Sequence, residues 1–171
     1  MIEQSQGAVT IRPFLFDDQA ETDALWAVLE PTFRAGDTYT IDADISREDA
    51  LAYWTGAPRT VFMVEGDGQV LGTYYVTPNQ KGGGRHVCNC GFVTGPAARG
   101  KGIARKMLAH ALETAKSMGF TAMQFNFVVS TNTRAVDIWK RAGFDVVGTL
   151  PKAFNHPEHG LVDAYVMYKM L

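Results

Sequence analysis

The sequence predicts an α+β, or mixed α/β, domain, and three observations carry that expectation. Strand-like and helix-like runs interleave in the order strand, two helices, three strands, helix, strand, helix, two strands. The run from about Gly102 to Met118 places Ile103, Met107, Leu108, Ala111, Leu112, Ala115 and Met118 on one helical face. The 171 residues are 46% hydrophobic and 20% charged, which suits one globular domain over residues 1–171 with a real core and excludes disorder as the main state.

The elements follow in chain order. Ala8 to Phe14 alternates around Val9 and Ile11 and reads as an edge strand stopped near Pro13. Asp17 or Asp18 caps a helix with Ala24, Leu25, Val28 and Leu29 as its apolar positions, and Pro31 disturbs its end. After the loop 36–40, Ser46 caps a short helix to about Trp54, with Glu48 and Asp49 in its first turn. Gly56 and Pro58 break the chain. Strands Thr60–Glu65 and Val70–Thr77 flank a hairpin turn at Gly66, Asp67 and Gly68. A turn through Pro78, Asn79 and the glycines at 82–84 leads to a strand from Arg85 to Thr94. Beyond the amphipathic helix, Gly119 stands where a helix C-terminus favours it. Thr121–Val129 reads as a buried strand, about Thr133–Ala142 as a helix ended by Gly143, and Phe144–Leu150 and Leu161–Met170 as two last strands.

Sixteen basic against eighteen acidic residues leave a net charge of −2, which argues against a dedicated nucleic-acid binder. The polar start, Met1 to Gly7, lacks the features of a signal peptide, and no apolar run approaches the roughly 18 residues of a membrane span. Cys88 and Cys90 stand two apart in one strand, where a disulfide would strain the backbone, and read as packed thiols. No second Cys/His pair stands at ligand spacing, so no metal is expected. His156 and His159, in a late loop with Pro157, read as surface residues. These features suit a cytoplasmic protein without membrane contact.

The chemistry lies in residues 93–105. Small residues and Arg99, Gly100, Lys101, Gly102 and Ala104 join a strand to a helix start. Free N–H groups and the helix dipole make such a joint an anion site, with pyrophosphate as its natural occupant. Arg99, Lys101, Arg105 and Lys106 add positive charge. A tight turn with solvated basic residues is the plain alternative. The spacing fits neither a P-loop nor a dinucleotide fingerprint.

Two blocks carry a resemblance: Arg99-x-x-Gly102-x-Ala104 on the strand–helix joint, and Asn132-x-x-Ala135-x-x-Ile138-Trp139 running on to Gly143-Phe144. Over nearly its full length the chain resembles the GNAT superfamily of N-acetyltransferases. That resemblance implies a mostly antiparallel, twisted sheet of six to seven strands, splayed between the fourth and fifth and flanked by about four helices. It implies acetyl-CoA as acyl-donor co-substrate, its pyrophosphate held by backbone N–H groups of about Gly100 to Arg105, Ile103 included. Phe92, Val93 and Thr94 would line the pantetheine arm, with a backbone N–H near Val93 polarising the thioester carbonyl. Trp139 stands where the family usually has a tyrosine that often acts as general acid, a role an indole N–H cannot fill; core packing is its plain alternative. Gly72-x-Tyr74-Tyr75-x-x-Pro78-Asn79, His86 to Phe92, Phe125-Asn126 and Thr131-Asn132 look like the branch that acetylates azetidine-2-carboxylate and related proline analogues. By that likeness Asn89 and Asn126 contact or activate the acceptor. Asn132 either caps its helix or touches the pantetheine arm.

An amine of pKa about 10.4 is neutral at pH 7 in roughly one molecule in 2,500, so deprotonation costs about 4.6 kcal/mol. A base or a water relay is therefore useful. No Asp or Glu lies in 87–94 or 125–129. Asn89 and Asn126 are the candidate holders of a relay, with a hydrogen-bonded pair of core amides as the alternative. His86, Asp163 and Tyr165 are weaker acid or base candidates. Tyr39, between Thr38 and Thr40, sits in the loop expected to cover the acceptor. The leading expectation is an acetyl-CoA-dependent N-acetyltransferase acting on a small amine, such as an amino acid or proline analogue. Its rivals are a protein or peptide N-terminal acetyltransferase and a non-catalytic acyl-CoA sensor. A homodimer through the last strands or Phe154–His159 is consistent with the fold.

Overall fold

The computed structural model describes residues 7–171. Residues 1–6, most of the polar start, lie outside them. Seven strands form one sheet: β1 (Thr10–Pro13), β2 (Thr60–Gly66), β3 (Gln69–Pro78), β4 (Val87–Thr94), β5 (Ala122–Val129), β6 (Asp145–His156) and β7 (Gly160–Met170). Four α-helices accompany them: α1 (Gln19–Ala35), α2 (Arg47–Thr55), α3 (Ile103–Ser117) and α4 (Thr133–Arg141). The spatial order is β1-β2-β3-β4-β5-β7-β6. Neighbours are antiparallel except β4 and β5, which run parallel and pair only through Val87–Ala122 and Cys88–Met123. Beyond Cys88 the two strands splay apart, and that opening creates the site.

The local signals work as expected. Asp18 caps α1 by accepting from the N–H groups of Ala20 and Glu21, and Ser46 caps α2 by accepting from Asp49. Asp67 and Gly68 both take positive φ (53° and 72°), the twist a two-residue hairpin turn needs. Cys88 and Cys90 are free and buried. The core divides by sheet face. α3 and α4 pack one face around Leu71, Tyr74, Met107, Met123 and Trp139. α1 and α2 pack the other around Leu25, Phe33, Trp54, Met63 and Val93. Tyr74 ties sheet to helix, its hydroxyl lying 2.5 Å from Nδ1 of His110.

Two expectations, on Met118 and on β6, need correction. Pro31 stands near the end of α1 without stopping it; the helix continues to Ala35 and stops at Gly36, whose φ of 64° makes the left-handed cap. The proline is solvent-exposed there and costs one hydrogen bond rather than the last turn. Met118 lies outside the buried face of α3, 43% exposed, because the helix has already ended at Ser117. β6 runs on to His156 rather than stopping near Leu150. A register shift between Leu150 and Phe154, with Lys152 at φ 51°, breaks the alternation that marks a strand in sequence. β6 is a free sheet edge that exposes Val147, and Leu161, opposite Asn155 on β7, is exposed as well.

Arg12 on β1 clamps the start of the chain. Its guanidinium meets both carboxylate oxygens of Glu21 at 2.6 and 2.9 Å and Glu65 at 2.5 Å. Glu21 is only 6% exposed, so losing Arg12 strands a buried charge. Arg12→Ala is expected to cost about 3 kcal/mol, the lower end for breaking such a pair, because Arg12 itself is partly solvated. A urea unfolding midpoint measures this. Hydrogen bonding from Arg12 lowers the Glu21 pKa. The stabilisation is therefore complete above the ordinary carboxylate pKa of about 4.3 and is lost as pH falls through the lowered folded value.

No helix among the described residues is long and apolar enough to cross a membrane.

Candidate active site

Four cavities join end to end across the splay. The first lies at the start of α3, lined by Gly100, Gly102, Arg105 and Arg134. It shares Ala104, Arg134 and Ile138 with the second, which adds Arg99, Ile103 and Thr94. The second shares Phe92, Asn132 and Trp139 with a central cavity of about 450 Å³ between β4 and β5. The central cavity shares Tyr53, Tyr75, Asn89 and Asn126 with a fourth, on the opposite side of the sheet opening. The four cavities thus form a row from the start of α3 to the loop after β3, each sharing wall residues with the next.

The α3 mouth is built for an anion. Gly100 and Gly102 take φ of 75° and 66°, and nothing stands within 4 Å of where a Cβ would project from either. Gly102 is the N-cap and offers no side chain to the helix. The first backbone bond into α3 runs from Lys106 N–H to the Gly102 carbonyl, so Ile103, Ala104 and Arg105 keep the open N–H groups of a helix start. Lys101 stands apart from its neighbours. Its N–H is spent on the Ala98 carbonyl at 3.1 Å, and its ammonium faces Asp67 of the β2–β3 hairpin at 3.8 Å. Arg134, in the first turn of α4, supplies positive charge across the groove. It escapes sequence reading because only the fold brings α4 to the α3 loop.

β4 forms one wall. Gly95 N–H bonds Leu71 and Asn79 N–H bonds Val87, so the odd-numbered residues of β4 turn their backbone polar groups to β3. Phe92 and Thr94 turn theirs to the splay. The Tyr39 hydroxyl, donating to the Phe92 carbonyl at 2.8 Å, shows that side to be open. The N–H expected near Val93 is thereby shifted by one residue: Val93 N–H faces β3, and those of Phe92 and Thr94 face the opening. The ring of Tyr75 lies against Gly91, where a Cβ would come within 2.5 Å of it.

The amides sit where the ladder fails. Asn89 donates Nδ2 to the Gln124 carbonyl on β5 at 2.9 Å, bridging strands whose backbones have parted. Asn126 lies on the β5 bulge between Phe125 and Val128. Its Oδ1 accepts from Gln124 Nε2 at 2.9 Å, and its Nδ2 donates to Asn79 Oδ1 at 2.7 Å. Asn132 caps α4 through the Ala135 N–H at 3.4 Å and also lines the central cavity. Trp139 packs on Phe92 and Phe125, with ring centroids at 5.2 and 5.0 Å, and forms part of the wall as well.

Among the described residues, no Asp, Glu, His, Lys or Arg lines the central cavity. Burial pushes the Tyr39 and Tyr75 phenols and the Cys90 thiol up, so all three stay protonated near neutral pH. His86 is exposed at the foot of β4. Asp163 is occupied at the β6–β7 bulge, where its Oδ1 accepts from Lys152 N–H at 2.9 Å. His86, Asp163 and Tyr165 all stay off the central cavity. Among the described residues, no group of three or more His, Cys, Asp or Glu is placed to hold a metal ion.

Comparison with known proteins decides the family. The model of the acetyltransferase (GNAT) family matches residues 22–144. The chain belongs to the GNAT acetyltransferase family. N-acetyltransferase aca1 of Schizosaccharomyces pombe is 31% identical over 77% of this chain and 71% of that protein. A GCN5-related N-acetyltransferase from Kribbella flavida is 37% identical, with 96% of this chain and 98% of that one covered at a TM-score of 0.87. yncA from Salmonella typhimurium, solved with its cofactor acetyl-CoA, shares the fold at 22% identity and a TM-score of 0.79, covering 96% and 94% of the two chains. In this GNAT chain the splay between β4 and β5 is as the resemblance implied, and the parallel pairing of the two strands is a finding of the structure. Tyr75, Tyr53 and Arg59 were not among the expected site residues; they reach the cavities only through the pairing of β3 with β4 and the packing of α2.

Proposed function

We propose that this chain is an acetyl-CoA-dependent N-acetyltransferase that acetylates the amine of a small molecule by direct attack on the thioester. The observation that carries this reading is the row of adjoining cavities, basic and rich in free N–H groups at α3 and lined by amides between β4 and β5. The α3 mouth fits the donor. Gly100 and Gly102 leave space a side chain would fill, the helix start presents unspent N–H groups, and Arg99, Arg105 and Arg134 surround it. Phe92, Thr94, Asn132 and Trp139 would line the pantetheine arm, and the N–H of Phe92 or Thr94 would polarise the carbonyl. Acetyl-CoA supplies an activated acyl group whose thiol has a pKa of about 8.5, so departure without a protonating tyrosine is feasible and Trp139 need not act as an acid.

On the acceptor side Asn89 and Asn126 would orient the amine and a water that takes its proton. Tyr39 holds the Phe92 carbonyl and thereby shapes this wall. The likeness to the azetidine-2-carboxylate branch suggests an amino acid or proline analogue as acceptor. A homodimer through the free β6 edge and a cytoplasmic setting are part of the same proposal.

Release of free thiol from acetyl-CoA with a panel of small amines tests the reading. Release dependent on one amine class supports it; tight acetyl-CoA binding with no release for any amine leaves a sensor instead. With no ionisable base in the central cavity, log kcat/KM is expected to rise with pH at unit slope up to the pKa of the amine itself. A break between pH 6 and 8 would reveal a base in the protein and contradict the water relay.

A further inference from the structure

The cavity beyond the amides, about 930 Å³, is lined by Arg59, which has no ion-pair partner among the described residues. We propose that Arg59 is an anchor for a carboxylate on the acceptor, which narrows the substrate class to small amines bearing a carboxylate. The inference rests on the acetyltransferase reading above and adds a binding residue to it.

Arg59 follows α2 and is pinned by aromatic rings. Its guanidinium carbon lies 4.6 Å from the ring centroid of Tyr53 and 5.0 Å from that of Tyr75. These rings hold the cation in place, and its charge and a side-chain hydrogen bond also act on the Tyr75 phenol. Nε of Arg59 is buried and has no hydrogen-bond partner; among the described residues it is the only buried side-chain nitrogen or oxygen in that condition. Lys81 and Arg85 line the same cavity, and no Asp or Glu does. Among the described residues none of these three cations forms an ion pair.

A buried Nε without an acceptor is unfavourable and needs an explanation, and a ligand that the neighbouring N–H groups of the guanidinium draw in supplies one. A planar carboxylate matches the fork of an arginine in two parallel hydrogen bonds. Tyr75, Asn89 and Asn126 line both this cavity and the central one. A molecule whose carboxylate rests on Arg59 can therefore present its amine between the two amides.

The test compares three molecules sharing one kind of amine: proline, prolinamide and pyrrolidine, with alanine, alaninamide and ethylamine as a second set. In wild type, with each kcat/KM divided by the neutral-amine fraction at the assay pH, the acid is expected to exceed its amide by about 30-fold, the value of one charged hydrogen-bonded contact. The amide's amine is the less basic of the two and is more fully neutral at a given pH, so uncorrected rates understate that preference. In Arg59→Met the acid is expected to fall to the level of its amide through KM, and Arg59→Lys is expected to keep part of the preference. Calorimetric titration of the acids into wild type and Arg59→Met gives a readout independent of turnover, and the melting temperature of each variant reports its folding. Turnover with equal use of acid and amide per neutral amine overturns the anchor and leaves the acetyltransferase reading standing. Acid binding that depends on Arg59 without acetylation of any amine does the reverse. Absence of both Arg59-dependent binding and acid preference overturns the anchor outright.

Discussion

Asn89→Ala is expected to lower kcat about 100-fold while leaving the KM for acetyl-CoA unchanged. Removing one preorganised donor from an active site costs on the order of 100- to 1,000-fold, and Asn89 is such a group in a cavity without charged side chains. Its Nδ2 is fixed by the Gln124 carbonyl at 2.9 Å, so the remaining polar atoms of the amide have a defined direction. Alanine removes both the bridge and the oriented amide. Asn126→Ala is expected to do less, about 10-fold, because Asn126 already spends its Oδ1 on Gln124 and one N–H on Asn79. Steady-state kinetics with saturating acetyl-CoA, read beside the melting temperature, separates the roles. A lower melting temperature with unchanged kcat in Asn89→Ala would show the residue to be a strand bridge alone.

Much of this arrangement was legible beforehand because it depends on local rules. Asp18 and Ser46 cap helices by contacts within three residues, and the Asp67–Gly68 turn needs only two positive φ angles. The α3 stripe follows from helical period, and the glycine-basic joint lies within one short segment. What could not be read depends on register or distance. Which β4 residues turn their N–H groups to the splay is a matter of parity, set by the pairing of Leu71 with Gly95. Shifting that pairing by one residue would exchange Phe92 for Val93, and no local pattern reports it. β6 hid its length behind Pro151 and a bulge. Arg59 has no motif at all. It is identified by the rings it lies on and by the acceptor it lacks, and both become visible only when α2, β3 and β4 meet.

Gly102→Val is expected to raise the KM for acetyl-CoA by about 30-fold or more, the loss of one or two charged hydrogen bonds, with a smaller change in kcat at saturating donor. Gly102 holds φ at 66°, where a β-branched side chain is strained by about 1–2 kcal/mol. Strain alone would lower stability without touching the donor site. The added methyl groups, however, would stand beside the open N–H groups of Ile103, Ala104 and Arg105 and keep a pyrophosphate from reaching them. Gly119→Val provides the control. Gly119 also has positive φ, 89°, with nothing within 4 Å of a Cβ, but it lies past the opposite end of α3. The two variants are expected to lose similar stability and to differ in KM. If Gly119→Val raises KM as much as Gly102→Val, the effect belongs to the fold, and the start of α3 is not where the donor's phosphates bind.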